Sequence, residues 1–196
     1  MLKLGLTGGI GSGKTLVSQI LEKLSVPVYY ADRAARELMN SNAELKENIR
    51  HMFGNQAYSN EGLDRQYLAS SVFGDDEKLS QLNSLVHPAV RQDFIGWTAQ
   101  HSESPYVVEE AAILFESGAY LEMDQTVLVY APKELRISRA MKRDGRGRED
   151  VLKRMEHQVS EEEKMKKADH ILSNDGTQML LPQVIELHNK ILNSRD

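Results

Sequence analysis

The stretch Gly8-Gly9-Ile10-Gly11-Ser12-Gly13-Lys14-Thr15 constrains this chain more than any other feature, because it satisfies the pattern G-x-x-x-x-G-K-[ST]. The run Leu2 to Leu6 before it reads as a strand. After it, Leu16, Val17, Ile20, Leu21 and Leu24 recur at helical spacing. A strand, a glycine-rich turn and a helix in that order let successive backbone N–H groups turn inward around an anion at a helix N-terminus. Lys14 then reaches the β- and γ-phosphates, and the Thr15 hydroxyl suits Mg²⁺. Gly9, Gly11, Ser12, Gly13, Lys14, Thr15 and Leu16 are therefore the predicted nucleotide contacts. The loop by itself does not distinguish ATP from GTP.

The rest of the chain alternates in the same way. Val26 to Tyr30 reads as a strand and Asp32 to Met39 as a helix with Asp32 at its N-cap or in its first turn. From Ser41 to Gln100 the pattern offers helices at Glu44 to Phe53, Arg65 to Phe73 and Asp76 to Gln100, and no strand. His87-Pro88 is expected to bend or break the last helix. Strands return at Tyr106 to Val108, Thr126 to Tyr130 and His170 to Leu172. They are separated by a basic helix at Lys133 to Arg143 and a charged helical excursion at Arg146 to Lys167. Thr177 to Leu192 closes the chain as a helix.

This is the pattern of an α/β fold: a P-loop NTPase-type parallel sheet flanked by helices, with an inserted helical substrate lobe and a helical lid. The expected division is a nucleotide-binding core of about 1–40, 104–140 and 168–196, a helical acceptor lobe of about 41–103, and a lid of about 141–167.

Composition removes other classes. Among 196 residues there is no cysteine, which excludes a disulfide framework, a thiolate metal site and a cysteine nucleophile. With 40% hydrophobic and 27% charged residues the chain can bury a core, which excludes disorder. The N-terminal stretch shows neither a secretory signal nor a membrane span, so a cytoplasmic location is expected. Net charge is −5, which argues against nucleic-acid binding. The segment from Lys133 to Arg154 nonetheless holds nine Lys and Arg against four acids. A nucleic-acid role rests on that segment alone and predicts steep salt dependence.

A guanine-specifying Asn-Lys-x-Asp is absent, which disfavours a GTPase switch. A small kinase needs an acceptor lobe, a carboxylate near the acceptor hydroxyl and an arginine-rich lid, and all three have candidates here. Asp32 follows the second strand at the edge that faces the nucleotide in parallel sheets, so it suits a general base or hydroxyl-orienting group, a role compatible with helix capping. Glu109 and Glu110 end the third strand, either as a solvated pair or as a support for Mg²⁺ through water. Arg139 and Arg143 share a helical face beside Gly145 to Arg148, which makes them either a clamp on ATP or a solvated basic face.

At this point the chain resembles the dephospho-CoA kinase family along nearly its whole length. The resemblance runs from Leu4 through Lys14 to Ala31-Asp32 and Arg36, then Gly62-Leu63-Asp64-Arg65 and Leu85-Val86-His87-Pro88. Beyond these lie Ile113-Leu114-Phe115-Glu116, Arg139, Arg143, Arg154-Met155-x-x-Gln158, Lys164, Ala168-Asp169 and Asn174-x-Gly176. What it implies is transfer of the ATP γ-phosphate to the ribose 3′-hydroxyl of dephospho-CoA, with Mg²⁺, as the last step of coenzyme A synthesis. Asp32, Lys14 and Arg139 are then the expected catalytic residues, and Arg139, Arg143 and Asn174 join the loop in binding ATP. Arg36, Arg65, His87 and Phe115 join Asp32 at the acceptor, and Thr15 and Glu110 hold the metal.

The chain departs from the family at Tyr30, where an Asp is common, at Glu110-Ala111-Ala112, which replaces Asp-x-Pro, and at Arg136, where Gln is frequent. The expected partners are ATP and dephospho-CoA, with no membrane, nucleic acid or obligate protein partner. Two alternatives stay open: a kinase of the same architecture with another nucleoside or nucleotide acceptor, and a non-catalytic regulator that binds ATP. Asp32→Asn separates the kinases from the regulator, since only a kinase would keep ATP binding and lose turnover.

Overall fold

The computed structural model describes residues 1–156 and 158–193, so the predicted segments that include 157 and 194–196 lie partly outside the described residues. In chain order the elements are β1 (Leu2–Thr7), α1 (Lys14–Lys23), β2 (Val28–Tyr30), α2 (Ala31–Ser41), α3 (Ala43–Phe53), β3 (Tyr58–Ser59), β4 (Gly62–Leu63), α4 (Arg65–Val72) and α5 (Asp76–Ala99). They continue with β5 (Tyr106–Glu110), β6 (Gln125–Tyr130), α6 (Lys133–Asp144), α7 (Arg148–Glu156), α8 (Glu161–Lys167), β7 (His170–Ser173) and α9 (Leu180–Asn193). Two compact units result: Met1–Tyr30 with Gln100–Asp196, and Ala31–Ala99.

The first unit is built on a five-stranded sheet of order β2-β5-β1-β6-β7 whose neighbouring strands all run parallel. The strands are nearly continuous apolar runs because helices cover a parallel sheet on its faces. Leu4 and Leu6 of β1 pack with Val108, Val127, Val129 and Leu172, and Val17, Leu21, Val184, Leu187 and Ile191 of α1 and α9 close the same cluster. Leu6 is fully buried, and truncation to Ala would cost about 2–5 kcal/mol through lost transfer energy and the cavity left behind. β1 lies between β5 and β6, so the chain leaves it in opposite directions along the sheet. That reversal leaves a crevice at the carboxyl end of β1, the position where such sheets bind ligands.

The second unit is helical. Leu45, Ile49 and Phe53 of α3 pack with Ala57, Tyr58, Leu68 and Val86. Asn42 caps α3 by accepting from the Leu45 N–H at 2.9 Å, and Asp64 caps α4 through the Tyr67 N–H at 2.9 Å.

Four expectations need correction. The stretch Ser41 to Gln100 is not strand-free: β3 and β4 form a two-stranded hairpin, with Tyr58 opposite Leu63. Two residues per strand are too few for an alternation signal. His87-Pro88 does not break α5, which runs unbroken from Asp76 to Ala99 with Pro88 inside it. Pro88 and Ser84 are both exposed, so the carbonyl that loses its donor faces water, while Val86 and Phe94 anchor the helix on its buried side. β2 starts at Val28 rather than Val26, and α9 at Leu180 rather than Thr177. At the latter, Asp175 takes the Thr177 N–H at 2.8 Å in a local turn that competes with helix.

Candidate active site

The carboxyl end of β1 passes directly into the loop Gly8 to Gly13, and α1 begins at Lys14. Gly11 and Gly13 adopt φ of +79° and +104°, and a Cβ on either would run into the Arg136 carbonyl or the Asn174 side chain respectively. Only glycine fits a loop that is both left-handed and this closely packed. The Ser12 N–H donates to the Gly9 carbonyl at 3.0 Å, closing the turn, and the Leu16 N–H donates to the Gly13 carbonyl at 3.0 Å as the helix starts. Thr15 and Leu16 are exposed on the first turn of α1.

Lys14 folds back over its own loop. Its Nζ donates to the Gly8 carbonyl at 2.7 Å and lies 3.9 Å from Glu110 Oε1, with both side chains about nine-tenths buried. Glu109 and Glu110 are buried rather than solvated, at 4% and 8% exposure. β2 pairs Tyr30 opposite Glu110, and burial, then the Glu22 carboxylate and more weakly Glu110, push the Tyr30 phenol up to about 12.

On the other side of the loop, Asn174 follows β7. Its Nδ2 donates to the Ser12 carbonyl at 2.7 Å and its backbone N–H to the Tyr130 carbonyl at 2.8 Å. Arg139 of α6 donates from Nη1 to the Asn174 carbonyl at 2.9 Å. The structure thus brings Lys14, Glu110, Arg139 and Asn174 around one phosphate loop. Arg143, one turn further along α6, instead grips Asp144 with Nε at 2.7 Å and Nη2 at 3.1 Å. Arg154 adds a third contact at 2.8 Å, and the two guanidiniums hold the Asp144 carboxyl well below the usual carboxylate range.

Arg136, singled out from the sequence only as a departure from the family, is 7% exposed and lies against the loop. Its Nε donates to the Ala131 carbonyl at 3.0 Å, and its Nη1 stands 3.5 Å from Glu161 Oε1 of α8. The signal was available: Arg136 precedes Arg139 by three positions and so shares its helical side. A cavity of about 580 Å³ opens beside it, walled by Tyr130, Ala131, Met155, Gln158 and Glu161. Phe115 is buried in this unit, with its ring 5.3 Å from that of Tyr120.

The other expected acceptor residues belong to the helical unit. Asp32 and Arg36 are exposed one turn apart on α2, and Asp32 stands two positions beyond the last residue of β2. Arg65 is exposed at the start of α4. His87 is half-buried in α5, where burial and then Arg91 lower its pKa.

Thr15 and Glu110 offer a hydroxyl and a carboxylate, hard oxygen donors of the kind Mg²⁺ takes. Among the described residues no three His, Cys, Asp or Glu converge on a metal position. No helix among the described residues is long and apolar enough to cross a membrane.

A parallel sheet ending in this loop, with a lysine and arginines converging on it, defines a P-loop nucleotide-dependent phosphotransferase fold. The sequence model of the dephospho-CoA kinase family matches residues 2–179. A dephospho-CoA kinase of Bacteroides fragilis is 38% identical over 186 residues, covering 95% of this chain and 91% of its own length. A crystal structure from Thermus thermophilus superposes with a TM-score of 0.85 at 36% identity, over 96% of both chains. A dephospho-CoA kinase structure from Campylobacter jejuni gives 0.72 at 27%, over 99% of this chain and 98% of its own. The chain belongs to the dephospho-CoA kinase family.

Proposed function

We propose that this protein transfers the γ-phosphoryl group of ATP to the ribose 3′-hydroxyl of dephospho-CoA, yielding CoA and ADP, the final step of coenzyme A biosynthesis. The observation that carries the reading is the loop after β1 with Lys14 held between the Gly8 carbonyl and Glu110, in a chain of this family. Both substrates are polar metabolites, which fits a cytoplasmic enzyme.

Phosphoryl transfer asks a protein for position and charge rather than covalent chemistry. The backbone N–H groups of Gly11, Gly13, Lys14 and Thr15 and the Lys14 ammonium hold the β- and γ-phosphates of ATP. Thr15 and Glu110 would hold Mg²⁺, which when bound would offset the negative charge of the phosphates. Arg139 screens the transferring group, and Asn174 braces the loop on the side of β7. Arg143 exchanges Asp144 for phosphate oxygens as α7 and α8 close over the nucleotide and exclude water. Asp32 accepts the proton of the acceptor hydroxyl, with Arg36, Arg65, His87 and Phe115 holding the remainder of dephospho-CoA.

The test is ADP release from Mg-ATP with dephospho-CoA, adenosine, AMP or no acceptor, with CoA verified by mass. Phosphorylation of dephospho-CoA alone supports the reading. Turnover of adenosine or AMP instead moves the acceptor assignment, and turnover of none by folded protein that binds ATP favours a regulator. Asp32→Asn should bind ATP as the parent does and lose about 10²–10⁴-fold in kcat.

A further inference from the structure

Gln158 lies just beyond α7 and carries none of the roles assigned above. Its side chain joins two segments of the site. Oε1 accepts from the Ile10 N–H of the phosphate loop at 3.1 Å, and Nε2 donates to the Ala112 carbonyl at 3.1 Å. These partners fix the amide orientation, since an N–H requires the oxygen and a carbonyl requires the nitrogen. One planar group therefore spans from the phosphate loop to the exit of β5, two residues past Glu110.

The loop is held at Ile10 in a second way, because the Ile10 side chain packs on the cluster of Ile137, Ala140 and Val151 together with Leu152 and Met155. The segment that carries Gln158 is itself anchored. The Val159 N–H donates to Glu116 Oε1 at 2.8 Å, and Lys164 Nζ stands 3.1 Å from the same oxygen.

We infer that Gln158 is a positioning residue of the nucleotide site, fixing the spacing between the phosphate loop and the strand exit that bears Glu110 through two backbone groups. It touches neither the phosphates nor the acceptor. Ile10 immediately precedes Gly11 to Lys14, so freeing its N–H lets the following amides turn away from the anion they are arranged to bind. The kinetic consequence rests on the proposed phosphotransferase reading, whereas the effect on the loop itself does not.

Two variants test this. Gln158→Met keeps the length and removes both hydrogen bonds. Gln158→Glu keeps the acceptor for Ile10 but sets a carboxylate against the Ala112 carbonyl. Three quantities are read for each: amide hydrogen exchange across residues 8–14 without nucleotide, exchange in α9 as a remote control, and ATP KM and kcat with dephospho-CoA.

The expected result for Gln158→Met is loop exchange about tenfold faster and ATP KM raised about five- to tenfold, and for Gln158→Glu, which loses only the link to Ala112, a smaller rise of about two- to threefold in both, with kcat within about twofold and α9 unchanged in each. Wild-type loop exchange and KM in both variants would overturn the inference. So would acceleration in α9 equal to that in the loop, which would mean general loosening. Should Gln158→Met fail to fold, Gln158→Glu is judged by the same readouts. If loop exchange responds to Gln158 while the wild-type protein phosphorylates no acceptor, the positioning role stands and the proposed function falls.

Discussion

The Asn174 side chain donates to the Ser12 carbonyl at 2.7 Å, and the Asn174 backbone carbonyl accepts from Arg139 Nη1 at 2.9 Å. The residue after β7 is thereby stitched to both the phosphate loop and α6. Asn174→Ala removes one neutral hydrogen bond to the loop, worth about 1 kcal/mol. ATP affinity, measured by titration calorimetry, should fall about fivefold with kcat nearly unchanged.

Gly11 faces the Arg136 carbonyl at φ +79°, so Gly11→Ala combines left-handed strain with a backbone collision. The loop must shift to relieve both, and its amides lose their common focus. ATP binding should weaken by more than about tenfold, while thermal unfolding falls by only a few degrees, about 1–2 kcal/mol.

Lys164 is fully buried, and its Nζ stands 3.1 Å from Glu116 Oε1. Lys164→Met strands the Glu116 charge and should cost about 3 kcal/mol, read by urea unfolding. Adding Glu116→Gln should recover part of that loss, because the stranded charge goes with it. A double mutant no more stable than Lys164→Met would show that the pair does not act as a unit.

Burial lowers the pKa of His87, with Arg91 adding to the effect. Burial and then Lys190 lower that of His170, against a smaller opposing pull from Asp169. Both imidazoles bind protons less readily folded than unfolded. Between the lowered folded values and the ordinary value near 6.5 the unfolded chain therefore carries more protons. Stability must rise with pH through that window and fall on acidification. Tm recorded from pH 5 to 7.5 should rise, and His87→Gln should flatten the slope.

Much of this architecture was legible in the sequence because strong periodicity and a strict glycine spacing report backbone requirements directly. The loop, Lys14 and the alternating strands are of that kind. The hairpin at Tyr58 to Leu63 was too short to show a period. Pro88 misled because local chemistry says nothing about which side of a helix faces water. Gln158 stood in the family pattern with no readable role for another reason: it acts on backbone atoms far away in sequence, and a backbone carbonyl or N–H leaves no mark on residue type. Arg143 looked like a partner of Arg139 by helical spacing, yet its neighbour Asp144 takes its guanidinium in this structure.

The pairing of β2 with β5 sets Val28 opposite Val108, and the whole of Ala31–Ala99 lies between them in the chain. Closing so long a loop costs entropy before any ladder bond forms. The helical unit has its own apolar cluster and needs no strand of the sheet to close it, so it should order independently, while the β2 edge of the sheet registers last. A ribosome would expose β1 and β2 long before β5 emerged to separate them. Until then the fully buried Leu4 and Leu6 of β1 have neither strand neighbour that protects them in the finished sheet, and this interval is when the nascent chain is most open to aggregation or to a chaperone.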